Sequence, residues 1–233
     1  MHRASEEAKR RLASRGSAEG AEKTKRFFRE PVATYGCSSG DATAVADELA
    51  PTLRRDLGQL FTVADELIRG DVLDEQLVAV SLLSRVKGRL TAEHMDQLDE
   101  WISFMTNWAS VDSFCTRVVG ALVEREPGTL ERLRGWTTSP SRWRRRAAAV
   151  SLVPAARRGA MLHEALGVAD LLMEDRDDMV QKGVGWMLKE ASKLHQREVR
   201  EYLLGWRSRA PALVLRYASE KLPPEQRVLK TRA

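Results

Sequence analysis

The chain has 233 residues, of which 43% are hydrophobic and 30% are charged, a composition that excludes an intrinsically disordered or collagen-like protein. The two cysteines, Cys37 and Cys115, exclude a disulfide scaffold and a cysteine-rich zinc module. With 38 lysines and arginines against 33 acidic residues, the formal charge is +5, and the length is sufficient to bury a sizeable core.

Amphipathic helices follow one another along the whole chain. Apolar residues at helical spacing predict helices near 5–15, 20–34, 41–54, 57–69, 72–87, 92–105, 108–126, 128–136, 140–153, 159–173, 177–193, 195–207 and 211–221. About a dozen helices joined by short loops favour an all-α, HEAT-like helical-repeat solenoid with a concave, positively charged face. A compact helical bundle is the alternative. We expect one domain over residues 1–233, with the N-terminal ~20 residues as a loosely attached helix.

The helix predicted after Asn107 places a carboxylate beside a tryptophan. Its buried stripe consists of Val111, Cys115, Val119 and Leu122. Trp108 and Asp112 form an i, i+4 pair along the edge of that stripe. A carboxylate at such an edge is costly unless it is paired or functional. Asp112 could instead cap the helix N-terminus, but Trp108 on the same side favours a functional role.

The next notable helix begins at Ser139-Pro140, a typical helix start. Its inward positions are Trp143, Ala147 and Val150. Arg146 flanks this face one turn after Arg142, whereas Arg145 points away from it. An arginine at the edge of a packed face is a candidate for bidentate contact with phosphate.

Trp186 lies on the lysine face of the helix predicted near 177–193. The apolar stripe of this helix consists of Val180, Val184, Met187, Leu188 and Ala191. Trp186 lies off the stripe, with Lys182, Lys189 and Lys193 at helical neighbour positions. An aromatic ring among cations is typical of a nucleic-acid surface. The alternative is a tryptophan packed against a neighbouring helix with lysines around it.

Positive charge is concentrated in one part of the sequence. Between Arg132 and His163 there are eight arginines and no acidic residue, so the rest of the chain has a net charge of 5 − 8 = −3. We call residues 132–163 the arginine window. A solvated surface is the alternative, but a local cluster of this kind favours a polyanionic partner.

The sequence predicts no membrane segment, secretory signal, metal site or cofactor. No apolar run approaches the roughly 18 residues that a membrane helix needs, and the N-terminus lacks the apolar core of a signal peptide. We therefore expect a cytoplasmic protein. The four histidines lack metal-ligand spacing, and we interpret both cysteines as structural.

Three segments together resemble the AlkD-type family of bacterial DNA alkylation-repair proteins, which are alkylpurine DNA glycosylases built from HEAT-like repeats. The segments are NWASVDSF at 107–114, WRRRAAAV at 143–150 and QKGVGWMLKEASK at 181–193. The RFFRE…YGC stretch around 26–37 resembles the family's opening helix and glycine turn. The resemblance extends from about residue 20 to residue 220.

The resemblance implies a role for each matching residue. Asp112 matches the catalytic carboxylate, Trp108 and Trp186 match the two tryptophans beside the lesion, and Arg146 matches a phosphate-contacting arginine. Phe27 stands at an aromatic position that is often tyrosine, and Ala109 and Cys37 also depart from the family pattern. The expected DNA-binding residues are Arg146, Arg142, Arg145, Lys182, Lys189 and Phe27.

The resemblance also implies a reaction. It is the hydrolytic excision of cationic N3- or N7-alkylated purines, such as 3-methyladenine and 7-methylguanine, from duplex DNA during base excision repair. It implies a bacterial monomer that acts at the nucleoid without base flipping. Removal of bulky N3-adenine adducts, as in self-resistance to DNA-alkylating natural products, is a further expectation.

Two other functions remain open on the sequence alone. A non-catalytic HEAT-like protein that binds DNA structure is favoured mildly by Ala109 and Phe27. A solenoid that binds only proteins is disfavoured by the arginine window. A lyase step is not expected, because it requires a nucleophilic amine and no lysine lies in the Trp108–Asp112 or Arg146 segments.

Overall fold

The computed structural model describes residues 2–230 and is all-α. The chain divides into two compact units, Met1–Val118 and Val119–Ala233. Within the described residues, β pairing is limited to an isolated parallel bridge between Ala33 and Val72. Helices pack on their neighbours along the chain in both units, so the predicted all-α helical-repeat fold is confirmed. The prediction of one domain over residues 1–233 stays a prediction.

The first unit is built around one central helix. Its helices are α1 (Arg3–Arg15), α2 (Ala18–Lys25), α3 (Ser39–Leu53), α4 (Leu57–Arg69), α5 (Leu73–Val86), α6 (Met95–Ile102) and α7 (Trp108–Phe114). Helices α3, α4 and α7 all pack against α5. Only Leu77, Ser84 and Arg85 of α5 are not fully buried. Short 3-10 turns lie at Lys87–Arg89 and Ala92–His94.

Helix α1 belongs to the core of the first unit. It packs on α3, α4 and α5, and it buries Ala8 and Leu12 completely. The His2 backbone N–H donates to both carboxylate oxygens of Glu66 at 2.9 Å. The expectation of a loosely attached N-terminal helix is therefore wrong, because the small and apolar side of α1 fills a groove over three helices.

The second unit is also organised around one helix. It contains α8 (Gly120–Arg125), α9 (Leu130–Trp136), α10 (Arg142–Val150), α11 (Val153–Arg157), α12 (Leu162–Leu172), α13 (Asp178–Ala191), α14 (Gln196–Trp206) and α15 (Ala212–Ala218). Helix α13 packs against α10, α11, α12 and α15. The predicted apolar stripe of α13 is confirmed, because all five of its residues are buried. Further 3-10 turns lie at Pro127–Thr129 and Pro224–Gln226.

The helix predicted over 20–34 is wrong beyond Lys25, where α2 ends. Pro31 disfavours a helical conformation at the residue before it, and the chain becomes extended enough for Ala33 to pair with Val72. The extended segment then turns at Gly36, which has a φ of +78°. A Cβ on Gly36 would lie 2.2 Å from the Ser17 carbonyl oxygen, so only glycine fits there.

Other predicted helices are interrupted or shortened. The helix predicted over 108–126 contains a π-helical turn at Cys115–Val119, between α7 and α8. The helix predicted over 140–153 ends at Val150, and α11 follows with Pro154 in its first turn. Helix α12 starts at Leu162 because Gly159 and Met161 before it both have positive φ values. No described helix is long and apolar enough to span a membrane.

Candidate nucleic-acid interface and active site

Asp112 lies in the middle of α7 and is half-buried. The N-cap of this helix is Asn107, whose side-chain oxygen accepts a hydrogen bond from the Ser110 backbone N–H at 2.9 Å. Asn107 therefore takes the capping role that one interpretation gave to Asp112. The predicted stripe of Val111, Cys115, Val119 and Leu122 is fully buried, which places Asp112 at its edge as expected.

Trp108 stacks on Phe28 from the irregular segment after α2. The two ring centroids are 5.3 Å apart, and the ring planes differ by 24°. Phe27, the aromatic residue that the sequence favoured, is 70% exposed. The pattern Phe27-Phe28 could not show which ring faces α7, because the predicted helix does not form there. The structure thus adds Phe28 to the candidate site.

A cavity of about 580 Å³ opens beside Trp108 in the first unit. Phe27, Phe28, Leu77 and Trp108 give it an apolar and aromatic lining, and Cys37 lies at its wall. Burial, with a smaller contribution from nearby acidic groups, raises the pKa of the Cys37 thiol to about 11. A thiol with that pKa is not a nucleophile near neutral pH, which supports the structural interpretation of Cys37.

The cavity wall is anchored to α5 by buried carboxylates. Asp74 accepts hydrogen bonds from the Thr34 hydroxyl at 2.6 Å and the Tyr35 backbone N–H at 2.7 Å. The Tyr35 hydroxyl donates to Glu75 at 2.7 Å, and burial together with this carboxylate raises the tyrosine pKa. These bonds attach the segment that follows Phe28 to α5.

Trp186 lies on α13 and is half-buried. The three lysines around it form ion pairs within the second unit. Lys182 lies 3.4 Å from Asp178, Lys189 lies 3.2 Å from Glu220, and Lys193 lies 2.6 Å from Glu190. The lysine face predicted from the sequence therefore also presents carboxylates from α13 and from the residues that follow α15.

Arg146 is buried between α10 and α13, with only 6% of its surface exposed. Its Nη1 donates to the Met179 carbonyl. Its Cγ would lie 3.2 Å from a Cβ on Gly183, so this glycine allows the two helices to approach closely. Burial and the Met179 bond fix the guanidinium in place. Contact of Arg146 with a phosphate stays a prediction.

Arg142 and Arg145 are both paired with carboxylates from the loop before α13. Arg142 stacks over the Trp143 ring at 4.6 Å and lies 3.6 Å from Asp177. Arg145 lies 2.6 Å from Asp175 and also donates to the Ser139 and Pro140 carbonyls. Arg145 is therefore held within the protein framework, and its contact with DNA stays a prediction.

The end of the arginine window shows the same pairing. Arg157 lies 2.8 Å from Glu190, and Arg158 pairs with Glu124. The sequence between Arg132 and His163 contains no acidic residue, but the fold brings acidic residues from before and after it. Neighbouring carboxylates therefore offset part of the charge counted along the sequence, and the concave, positively charged face stays a prediction.

The predicted residues are divided between the two units. Phe27, Trp108 and Asp112 lie in the first unit. The residues of the second unit are Trp186, Arg142, Arg145, Arg146, Lys182 and Lys189. The first set combines a carboxylate with an aromatic stack, and the second combines an aromatic ring with cations.

Known proteins share this fold. A family model described as DNA alkylation repair enzyme matches residues 8–222. A predicted DNA alkylation repair enzyme from Enterococcus faecalis is 17% identical with a TM-score of 0.80, over 90% of this chain and 98% of that one. AlkD2 from Streptococcus mutans is 20% identical with a TM-score of 0.62, over 87% of this chain and 97% of that one. No curated protein matches the chain.

Proposed function

Because the chain belongs to the DNA alkylation repair enzyme family, we propose that it is a monofunctional DNA glycosylase. Its substrates are duplexes that contain cationic N3- or N7-alkylated purines. The observation that carries the proposal is the pair formed by Asp112 and Trp108. Asp112 is a half-buried carboxylate that does not cap the helix, because Asn107 is the N-cap. Trp108 lies one turn before Asp112 and stacks on Phe28.

The chemistry asks little of the protein. Alkylation at N3 or N7 makes the purine a cation, so the electron pair of the glycosidic bond can leave with a neutral base. Water attacks the sugar carbon, and its proton passes to the Asp112 carboxylate and then to solvent. The same carboxylate stabilises the positive charge that develops on the sugar. The face of Trp108 adds attraction to that charge, and a role of Trp186 beside the lesion stays a prediction.

The cations of the second unit are proposed to hold the DNA backbone. Arg142, Lys182 and Lys189 lie in partly exposed ion pairs, and such pairs are weak enough to exchange a carboxylate for a phosphate. Arg146 is proposed to contact phosphate from its fixed position beside Met179. Binding of this kind weakens steeply with salt, since each phosphate contact releases counterions.

The cavity beside Trp108 supports a broad substrate range. An opening of about 580 Å³ lined by Phe27, Phe28 and Leu77 has room for an apolar adduct on a purine. We therefore include bulky N3-adenine adducts among the substrates, which would give self-resistance to a compound that forms them.

Release of free base from defined duplexes tests this function. We expect 3-methyladenine, 7-methylguanine and a bulky N3-adenine adduct to appear by HPLC faster than by spontaneous depurination. Release of only the two methylated bases would remove the bulky adducts from the substrate range. No release from any of the three duplexes would contradict the glycosylase proposal.

Ala109 and the exposed Phe27 favour a second candidate, a protein that binds DNA structure without cleaving it. Neither residue offers the polar group that is common at its position in the family. Such a protein would bind the same duplexes with a steep salt dependence and would release no base. Measuring binding and release in one sample therefore separates the two functions.

A further inference from the structure

Arg117 occupies an unusual place in the first unit. It lies in the π-helical turn Cys115–Val119, directly after the helix that carries Asp112. π-helical turns are rare in proteins overall, and those that occur frequently lie at functional sites. The Arg117 Nη1 donates to the Ser81 hydroxyl at 3.1 Å, and its Nη2 donates to the Ser84 hydroxyl at 3.2 Å. Two neutral hydroxyls of α5 therefore hold the guanidinium fork.

Arg117 carries a charge that no carboxylate balances. Among residues 2–230, no acidic group lies within ion-pair distance of its guanidinium. Its neighbour Arg85 differs, because Arg85 lies 2.5 Å from Asp47. Burial lowers the pKa of the half-buried Arg117 below its usual value, and Arg85 adds a smaller repulsion. A half-buried, unbalanced cation is costly, and an anion would offset that cost.

Arg117 lies further along α5 than the candidate active site. Leu77 of α5 lines the same cavity as Trp108 of α7. One to two turns later, Ser81 and Ser84 of α5 meet Arg117. Asp112 lies between Trp108 and Arg117 in the chain. Trp108 and Arg117 therefore lie at successive levels along α5, and Asp112 precedes Arg117 by five residues.

We propose that Arg117, positioned by Ser81 and Ser84, binds a phosphate of the DNA backbone next to the damaged nucleotide. The proposal rests on the proposed function, and it adds a backbone contact from the first unit to those expected from the second. An arginine fork matches two oxygens of one phosphate, and the serine bonds fix the fork before DNA arrives. No sequence pattern indicates this site, because Arg117 is a lone arginine outside the arginine window.

The first test measures duplex affinity against salt for wild type and three variants. Loss of a fixed phosphate contact in Arg117→Gln should weaken binding about tenfold. The slope of log affinity against log salt should also fall by about 0.9. Arg117→Lys keeps the charge but not the fork, so it should keep the slope and lose part of the affinity. Arg10→Gln, which removes an exposed, ion-paired charge from the same unit, is the matched control.

A second measurement locates the phosphate. Single phosphates on both sides of a lesion are replaced by uncharged methylphosphonates. One replacement should weaken binding by wild-type protein and have no effect on Arg117→Gln. The site would be overturned if every methylphosphonate replacement weakened Arg117→Gln as much as wild type. It would also be overturned if Arg117→Gln kept the wild-type slope of log affinity against log salt. A variant whose only change is a lower thermal midpoint would also overturn it, since that result assigns Arg117 to folding alone.

The two proposals fail in different ways. Base release by wild type with unchanged binding by Arg117→Gln removes the Arg117 site and leaves the glycosylase. Weakened binding by Arg117→Gln without base release by wild type leaves the phosphate site and removes the glycosylase. A wild-type protein that binds no duplex overturns both.

Discussion

The two tryptophan-bearing helices differ in what surrounds each ring. Around Trp108 on α7 lie an aromatic stack, the carboxylate of Asp112 and, later in the chain, Arg117, which has no acidic partner among residues 2–230. Around Trp186 on α13 lie lysines that are each paired with a carboxylate. The sequence concentrates positive charge in the second unit, yet Arg117, which is held by hydroxyls and not by a carboxylate, lies in the first unit. A count of charges along the chain therefore does not measure what a ligand meets.

The difference has a physical reason. An exposed ion pair contributes at most about 1 kcal/mol to the stability of the fold. The carboxylate of such a pair also offsets the positive charge that a ligand would meet. A half-buried arginine held only by hydroxyls keeps its full charge in a medium of lower polarity, where the attraction to an anion is stronger. The ion pairs around α13 therefore suit binding of the DNA backbone, in which a phosphate replaces a carboxylate. The carboxylate and aromatic stack at α7 suit the proposed base excision.

The largest expected effect on stability comes from loss of the Arg145–Asp175 pair in the second unit. Arg145→Gln removes the partner of Asp175, whose side chain is only 9% exposed. Leaving this carboxylate without its arginine should cost about 2 kcal/mol of unfolding free energy. Urea denaturation measures the loss. Arg134→Gln breaks the more exposed pair with Glu131 and should change little. Equal stability of the two variants would contradict a framework role for Arg145.

The next effect concerns the aromatic stack of the first unit. Phe28→Ala removes the ring on which Trp108 rests and should slow base release about tenfold, since stacking and burial are both lost. Phe27→Ala removes an exposed ring and should have a smaller effect. Single-turnover rates compare the two. A stronger effect of Phe27→Ala would instead support the DNA-binding role predicted for Phe27.

A smaller effect tests the exchangeable pairs around Trp186. Glu220→Gln frees Lys189 from its partner, so duplex affinity should rise about twofold if that lysine meets phosphate. Glu201→Gln removes the same charge from an exposed pair with Arg197 and serves as the control. Fluorescence anisotropy with labelled duplex gives both affinities. Equal gains in the two variants would indicate a general charge effect.

The smallest effect is a pH dependence in the second unit. Burial raises the pKa of Glu190, but hydrogen bonds from Lys193 and Arg157 outweigh it, so the net pKa is lowered. A lowered carboxyl pKa stabilises the fold above the unfolded value of about 4.3, and the contribution is lost as pH falls through the folded value. Glu190→Gln should therefore flatten the acid side of the stability curve. A curve of unchanged slope would contradict this.

The sequence predicted most helices because apolar spacing is local, as the buried stripes of α7 and α13 demonstrate. It failed at 20–34, where Pro31 and the approach of Gly36 to Ser17 override helical spacing. It also missed the π-helical turn after α7. Nothing in the pattern of that segment distinguishes the i→i+5 hydrogen bonds of a π-helical turn from the usual bonds of an α-helix, which join residues four apart.

The candidate site was predicted in part for the same reason. Asp112 and Trp108 stood out because both lie at the edge of a stripe within one helix. Phe28 and Arg117 did not stand out, because their partners lie on α7 and α5, far away in sequence. The acidic partners of the arginine window were missed in the same way.

The proposed reaction depends on the Asp112 carboxylate, and Asp112→Asn tests this role most directly. Single-turnover release of 3-methyladenine, corrected for spontaneous depurination, is measured together with duplex affinity. We predict that release falls at least about 100-fold while affinity stays near that of wild type. Asp56→Asn changes the charge equally at an exposed helix cap that asparagine also fills, and it should keep full release. Base release by Asp112→Asn within a few-fold of wild type would contradict a catalytic role for Asp112.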